Sequence, residues 1–397
     1  MAEAHIYWVK KGNCGLSTGK IVTPVVYNSK IWAFEEWSPG PNSLASSSDG
    51  TTWTTVNSSL PFSTVLWGGY ESLEGVWANG LFVTGGFGGM AQVWSSTDGV
   101  TWNHLADAPW TGRAGHCVTK YAYDSWGSHY EYMFILGGAA GGSVYLNDQW
   151  HTVDGTTWYN PTSTTSYSGR WHATATCFVP TTGPYAGQPI LWLMGGRNSS
   201  ATFNDVWNCI PWPWPSYPYS WDWVRVTEHA PWNFSSQTIS SLALVDKLWI
   251  FGVGVTSGNW ESWYTYDGVN WQEANTSPLP GGFRISKTVS FDSKIWAIDG
   301  NRDVWAGEVD LLSSSSSVSS PSTLTSVSSL SSLTSTSVSS SSLSSTSTEI
   351  KTTTSSQSSS TYLQTTSSSS IMERKPKLCS IDLSNYSANI KDMDLSF

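Results

Sequence analysis

The feature that most constrains the fold of this chain is a repeated unit that ends in a tryptophan. Each unit combines an apolar run, a glycine pair or its substitute and the closing tryptophan, and every unit but the fourth has an Asp-Gly turn before that tryptophan. Successive closing tryptophans lie 48 to 65 residues apart, at Trp53, Trp102, Trp158, Trp223 and Trp271. Asp-Gly between apolar runs favours a tight hairpin, because such a turn needs positive φ. Units of about fifty residues with several short strands are typical of propeller blades, so we expect an all-β propeller.

The last unit is incomplete, and this defect predicts how the ring closes. The repeat stops at Trp305 without a further closing tryptophan. A ring of blades leaves open sheet edges unless the opposite terminus completes one blade. Trp8 precedes Lys20 by 12 residues, which matches the 11 to 13 residues between other closing tryptophans and the cation that follows. We therefore predict six blades, with residues 5–10 as the outer strand of the sixth.

Blades 2 to 4 resemble the kelch repeat, the propeller type also found in the central domain of galactose oxidase. The matching motifs are Gly137-Gly138 with Asn147-Asp148 and Trp158, Gly195-Gly196 with Asn204-Asp205, Gly112-Arg113 with His116, and Gly169-Arg170 with His172. The resemblance extends over roughly residues 5–310 at the level of the repeat period. It implies a six-bladed kelch-type β-propeller whose motif histidines bond neighbouring backbone groups.

A second resemblance concerns two hairpins near the N-terminus. The stretches around Asp49-Gly50 and Asp98-Gly99 are similar to the Asp-box hairpins of sialidase-type propellers. In such hairpins the aspartate caps its own turn and the tryptophan packs into the sheet. The resemblance implies a structural device and no sialidase chemistry.

The charge of the chain excludes one class of partner. The formal net charge is −10, and residues 1–312 hold 14 Lys+Arg against 24 Asp+Glu. Phosphate neutralisation needs clustered lysine and arginine, so we expect no nucleic-acid binding. No apolar run approaches the roughly 18 residues that span a membrane, and no signal-peptide pattern opens the chain. We expect no membrane partner and a cytoplasmic location by default, or a secreted or surface location if the N-terminus is incomplete.

The five cysteines form no CxxC pair and no Cys/His metal spacing. Such a scattered, odd-numbered set is more typical of buried thiols than of a disulfide framework or a zinc site. Galactose oxidase chemistry would require copper ligands, and no histidine pair at ligand spacing or Cys-Tyr arrangement matches them. We therefore predict no metal and no other cofactor.

The composition changes sharply after Leu312. Residues 313–370 are mostly serine and threonine, so they cannot bury enough apolar surface to offset the entropy of ordering. We predict a propeller domain over residues 1–312, a disordered linker over 313–370, and a short C-terminal tail of unassigned role over 371–397. The linker could be an O-glycosylated stalk, a phosphorylated tail or a simple spacer.

Four cations occupy equivalent positions just before the innermost strands of their blades: Lys20, Arg113, Arg170 and Arg284. Equivalent loops open on one face of a propeller, so these residues would surround one mouth of the channel. We hypothesise that they bind an acidic or carboxylate-bearing ligand, because arginine pairs bidentately with carboxylates. The alternative is structural, since kelch arginines commonly bond backbone carbonyls between blades.

Blade 4 departs from its neighbours by a loop in which prolines alternate with aromatic residues. Its candidate contact residues are Trp212, Trp214, Tyr217 and Tyr219. Prolines hold such a loop extended, and exposed aromatic clusters often mark interaction sites for protein or sugar. The alternative is that these rings fold back and cap the outer edge of the blade.

The function predicted from these features is that of a binding module without enzymatic activity. We expect a monomer that binds a protein partner through loops around the central channel, and this partner would be acidic if the four cations contact it. The alternative is a carbohydrate-binding or carbohydrate-active propeller of the galactose oxidase or sialidase type.

Overall fold

The computed structural model shows an all-β propeller of six blades, without helices among the residues it describes. The structure describes residues 4–17, 21–36, 42–62, 69–85, 91–125, 127–141, 143–160, 165–210, 222–235, 239–276 and 287–311. No helix in this part of the chain is long and apolar enough to cross a membrane. The predicted fold class is confirmed. The predicted linker and tail, 313–370 and 371–397, lie outside the described residues.

In blades 1 to 5 the antiparallel strands follow one another in sequence from the channel outwards, and in blade 6 the N-terminal strand is added after the third strand. Blades 1 and 2 comprise β2 (Ile21–Tyr27), β3 (Lys30–Glu36), β4 (Leu44–Ser47) and β5 (Thr54–Asn57), then β6 (Gly69–Glu74), β7 (Asn79–Thr84), β8 (Gln92–Ser96) and β9 (Asn103–Asp107). Blades 3 and 4 comprise β10 (Cys117–Ser125), β11 (Ser128–Ala139) and β12 (Tyr145–Thr152), then β13 (Thr174–Phe178), β14 (Ile190–Met194), β15 (Val206–Cys209) and β16 (Val224–Thr227). Blades 5 and 6 comprise β17 (Ser240–Leu244), β18 (Lys247–Val253), β19 (Trp260–Thr265) and β20 (Gln272–Glu273), then β22 (Thr288–Phe291), β23 (Lys294–Ile298), β24 (Asp303–Leu311) and β1 (Ala4–Asn13).

The N-terminal strand closes the ring, as predicted. Strand β1 pairs antiparallel with β24 over its whole length, from Ala4 opposite Leu311 to Asn13 opposite Asp303. A short strand, β21 (Asn275–Thr276), adds to its outer edge in parallel. The sixth blade is thus built from both ends of the repeat region, which removes the open edge that an unclosed ring would leave.

Buried side chains form six clusters, and each cluster joins two neighbouring blades. The cluster between blades 6 and 1, for example, packs Val289 and Trp296 against Ile31 and Ala45. The cluster between blades 5 and 6 includes Trp8 and Ile6 of β1. The hydrophobic core of this protein therefore lies between the blades rather than at one centre, and its continuity around the ring depends on β1.

The Asp-Gly turns between third and fourth strands repeat one hydrogen-bonding pattern. In blade 1, the Asp49 carboxylate accepts the backbone N–H groups of Thr51 and Thr52 at 2.8 and 2.7 Å. The Trp53 indole N–H then donates to the carbonyl of Gly50 at 3.1 Å. The same contacts recur around Asp98 and Asp154. Around Asp267 the two carboxylate contacts recur, whereas the indole nitrogen of Trp271 is buried without a hydrogen-bond partner among the described residues. These donors hold the pKa of Asp49 well below its usual range, so the turn is capped by a carboxylate at neutral pH.

The strand order gives the propeller two distinct faces. The entry face is the one at which the chain enters the innermost strands, and it carries the segments before β10 and β13. The turn face carries the hairpin turns between first and second strands, such as Asn28-Ser29 and Val245-Asp246, and the Asp-Gly turns. Innermost strands of neighbouring blades contact one another around the ring and enclose the central channel.

Closure by β1 can be tested with two adjacent residues of that strand. Trp8 is 8% exposed and packs into the cluster between blades 5 and 6, whereas Tyr7 is 48% exposed. We expect Trp8→Ala to lower the free energy of unfolding in urea by about 3–5 kcal/mol, because it leaves a cavity in the interface between blades 5 and 6. The matched control Tyr7→Ala should change it by less than about 0.5 kcal/mol. Equal effects of the two substitutions would contradict the closure.

Candidate functional site

The structure places two of the four predicted entry-loop cations, and both are buried. Arg113 is 1% exposed and Arg170 is 2% exposed. Lys20 and Arg284 lie outside the described residues, as do the aromatic-loop residues Trp212, Trp214, Tyr217 and Tyr219. For those residues the ligand-binding hypothesis stays a prediction.

Arg113 makes a bidentate ion pair with an aspartate of its own blade. Its Nη1 and Nη2 donate to the two carboxylate oxygens of Asp148 at 2.6 and 2.8 Å. Nη1 also donates to the carbonyl of Gly137 at 2.9 Å, and Nε donates to the carbonyl of Thr111 at 3.2 Å. Burial raises the pKa of Asp148, but hydrogen bonds from Arg113 outweigh it and the net shift is downward.

Arg170 repeats this arrangement in blade 4. It donates to both carboxylate oxygens of Asp205 at 2.6 and 2.9 Å and to the carbonyl of Gly195 at 2.8 Å. The indole N–H of Trp207 completes the aspartate's partners at 2.7 Å. In both blades the arginine donates to a backbone carbonyl, as the structural alternative expects. The carbonyl belongs to the arginine's own blade, however, and not to a neighbouring blade. Because both guanidinium groups are committed to these contacts, the geometry gives the ligand-binding hypothesis no support at Arg113 and Arg170.

The motif histidines are neutral at pH 7, with His116 buried and His172 half-buried. The ring of His116 lies 3.0 Å from the Thr84 hydroxyl of blade 2, so it bonds a side chain of the neighbouring blade rather than the backbone group expected from the sequence. Burial, with Arg113 nearby, lowers the pKa of His116 to about 3. Burial, with Arg197 nearby, lowers the pKa of His172 to about 4. His172 also has a φ of 53°, which is uncommon for a residue with a side chain.

A cation that the sequence analysis did not single out lies on the entry face. Arg197 follows β14 in the loop after the glycine pair of blade 4, and it is half-buried. Its guanidinium carbon lies 4.8 Å from the centre of the Trp171 ring, within cation–π range. Its Nε is buried without a hydrogen-bond partner among the described residues, and no described carboxylate lies within ion-pair distance. Arg197 therefore differs from Arg113 and Arg170, whose charges are compensated.

Two further rings, those of Tyr145 and His172, lie against Trp171, and we call the four residues Tyr145, Trp171, His172 and Arg197 the mouth cluster. Trp171 lies 4.4 Å from the His172 ring and 6.2 Å from Tyr145 between ring centres. Paired backbone hydrogen bonds of 2.9 and 3.0 Å between Trp171 and Arg197 fix the two segments side by side. The cluster is thus rigidly placed at the entrance of β13, beside the channel.

A second cation near the same face contacts a blade that is not adjacent to its own. Lys287, just before β22 of blade 6, donates to the carbonyl of Tyr70 at 3.2 Å and to the Glu71 carboxylate at 3.3 Å in blade 2. Blades 6 and 2 are not neighbours, so this ion pair connects the two blades on either side of blade 1. Glu71 compensates the charge of Lys287. Among the described cations at this mouth, Arg197 is therefore the one most open to pairing with a ligand.

The sequence carried a weak signal for Arg197. It stands directly after Gly195-Gly196, where the third blade has Ala139 and the second has Phe87. The predicted cations stand before innermost strands, whereas Arg197 stands between a second and a third strand, where blades 2 and 3 carry no cation that aligns with it.

Three of the cysteines, Cys14, Cys117 and Cys209, are buried free thiols, as predicted. Cys177 is disulfide-bonded, which corrects the prediction for that residue. The cysteines are scattered, so their spacing gives no indication of pairing. Among the described residues no group of three or more histidine, cysteine, aspartate or glutamate side chains could hold a metal ion.

No protein-family model and no curated protein matches this chain. Among solved structures, it is similar to the structure of YjhT, with 13% identity, 75% of this chain and 98% of that chain covered, and a TM-score of 0.48. It is also similar to the SapL1 lectin in complex with α-methyl fucoside, with 10% identity, 71% and 89% covered, and a TM-score of 0.44. A mutant of the Aleuria aurantia lectin in complex with α-methyl-L-fucoside gives 10% identity, 78% and 96% covered, and a TM-score of 0.46. At these identities and scores no functional argument rests on the similarities.

The structural role of the buried arginine pairs can be measured. We expect Asp205→Asn to lower the free energy of unfolding by about 3–5 kcal/mol, because Arg170 would keep a buried charge without its counter-ion. Glu228→Gln is the control, since Glu228 pairs with Arg225 at the surface, where both side chains are about half exposed or more. That change should cost less than about 1 kcal/mol. A cost of Asp205→Asn as small as that of the control would argue against a structural role.

Proposed function

We propose that this propeller is a non-enzymatic binding module that recognises a carboxylate-bearing ligand at the mouth cluster on its entry face. The observation that carries the proposal is Arg197, a half-buried guanidinium stacked on Trp171 whose charge no described carboxylate compensates. Arginine presents parallel N–H donors that fit a carboxylate, and partial burial strengthens the attraction. Burying such a charge without a counter-ion is costly, so a ligand that supplies one gains that energy on binding.

The same carboxylate can come from two sources. One is an acidic side chain of a protein partner, as we expect of a binding module whose loops surround the channel. The other is an acidic sugar, and the rings of Trp171 and Tyr145 favour it as the second candidate, because aromatic faces pack against the apolar face of a sugar ring. The shared feature is the carboxylate on Arg197.

The motifs of blades 3 and 4 also support the inference of a kelch-type propeller. In each, the arginine that enters the blade bonds an aspartate and the carbonyl of the first glycine of the pair. The repeated caps at Asp49 and Asp98 support the inference of Asp-box-like turns. Both devices stabilise blades.

The proposal that the module has no chemistry of its own rests on how its acid–base groups are used. Asp148 and Asp205 pair with buried arginines. The low pKa values of His116 and His172 keep both rings neutral at pH 7 and poorly matched to proton transfer at that pH. These groups serve the packing of blades and of the mouth cluster.

Binding can be measured by calorimetry with matched probes. We would titrate the full chain with a short polyglutamate peptide and its polyglutamine counterpart, and with glucuronic acid and glucose. We expect one acidic probe to bind and its neutral counterpart to bind at least about tenfold more weakly. Arg197→Ala should abolish this preference, and Arg197→Lys should keep part of it because lysine supplies charge without the planar fork.

Arg225→Ala is the matched control, because Arg225 lies exposed on the outer strand β16 and pairs with Glu228. It should leave binding unchanged. The proposal would be wrong if Arg197→Ala left the acidic preference intact, or if neither acidic probe bound. Turnover of the acidic sugar by the wild-type chain would contradict the non-enzymatic part alone.

A further inference from the structure

A second surface of unusual composition lies on the turn face, where blade 3 departs from the other blades. Its first hairpin pairs the 9 residues of β10 with the 12 residues of β11. The innermost strands of the other blades have 4 to 7 residues. The hairpin of blade 3 therefore extends beyond its neighbours, next to the turn that joins β6 and β7 in blade 2.

Aromatic rings line the contact between these two hairpins. Trp77, in the turn of blade 2, is 51% exposed, and its neighbour Val76 is 53% exposed. The Trp77 ring lies 5.1 Å from Tyr130, which in turn stacks on Tyr123 at 5.3 Å and an interplanar angle of 15°. Tyr123 is buried, so the row of rings is anchored in the blade and ends in a tryptophan that is half open to solvent.

Carboxylates predominate around this row. Asp124, at the tip of the extended hairpin, has a side chain 42% exposed and accepts from the ring of His129 at 2.7 Å. Glu131 is buried and pairs with Lys120 at 3.0 Å and His129 at 3.3 Å. With the exposed Glu74, three carboxylates meet one lysine and one histidine, so the surface keeps a negative excess whether or not His129 is protonated.

We propose that the tip surface, defined by Val76, Trp77, Asp124, His129 and Tyr130, binds a basic segment of a partner polypeptide. An arginine or lysine side chain would lie over the rings of Trp77 and Tyr130 and direct its charge to the carboxylate of Asp124. Indole and phenol faces attract cations, and the attraction is greatest for tryptophan. Tryptophan and tyrosine are also among the residues that contribute most at protein interfaces.

Charge complementarity decides in favour of a basic occupant. Carboxylates exceed cations at the tip surface itself, so a basic segment is attracted to this surface and an acidic one is repelled from it. A neutral sugar could stack on Trp77, but it would gain nothing from the excess of carboxylates. The tip surface lies on the turn face and shares no residue with the mouth cluster, so it is independent of the function proposed above.

The test uses the full chain and short peptides of matched length, one with several arginines spaced by glycine and serine, one with glutamines and one with glutamates in their place. We expect the arginine peptide to bind more tightly than the other two and its affinity to fall as salt is raised. Trp77→Ala and Asp124→Asn should each weaken binding by about three- to thirtyfold. Both residues lie at the surface, and thermal unfolding of each variant would check that the fold is kept.

Tyr7→Ala is the matched control, because Tyr7 is an equally exposed aromatic on the outer strand β1. It should leave the affinity for the arginine peptide unchanged. Equal binding of the arginine and glutamine peptides, or an affinity that survives Trp77→Ala, would overturn the proposal. The proposal would also be overturned if Trp77→Ala abolished the binding of a neutral sugar and left the affinity for the arginine peptide unchanged. That result would assign the surface to carbohydrate.

Discussion

The contact on which the rest of this structure depends is that between a glycine of one blade and an aromatic ring of the blade before it. In the four Asp-Gly turns described between third and fourth strands, the glycine has positive φ, and a Cβ atom built on it would overlap the ring of a buried aromatic residue. The pairs run around the propeller: Gly50 with Trp296, Gly99 with Trp32, Gly155 with Phe82, and Gly268 with Trp192. A residue with a side chain would be strained twice, by its backbone conformation and by the ring. The turn thus fixes the distance at which neighbouring blades pack.

Much of this architecture could be predicted from the sequence because its causes are local and repeated. The Asp-Gly turn, the apolar strand before it and the closing tryptophan recur often enough to reveal the period, and the missing strand after Trp305 revealed the closure by Trp8. The ring partners of the glycines could not be predicted, because they belong to another blade. Nor could the shared cores between blades, since the sequence pattern shows which residues are buried but not what covers them.

The site was less predictable, for a physical reason that Arg113, Arg170 and Arg197 illustrate. Each of the three directly follows a glycine near the same face, and the sequence alone does not show which of their charges is compensated. Whether an arginine is a structural element or a candidate binding group depends on the aspartate that reaches it from another strand. Asp148 and Asp205 reach the first two, and no described carboxylate reaches Arg197. The same holds for the tip surface, where Trp77 and Tyr130 come from different blades.

The most direct test of the account is the free energy of unfolding of Gly268→Ala against that of Gly258→Ala. Both glycines lie in blade 5 with positive φ, 79° and 65°, but a Cβ on Gly258 meets nothing within 4 Å. We predict that Gly258→Ala costs about 1 kcal/mol and Gly268→Ala at least about 2 kcal/mol more, because Trp192 is fully buried and cannot yield. The smaller ring of Trp192→Phe in the same chain should recover part of the loss. Equal costs at the two positions would contradict the claim that the glycine–ring contact sets the packing of the blades.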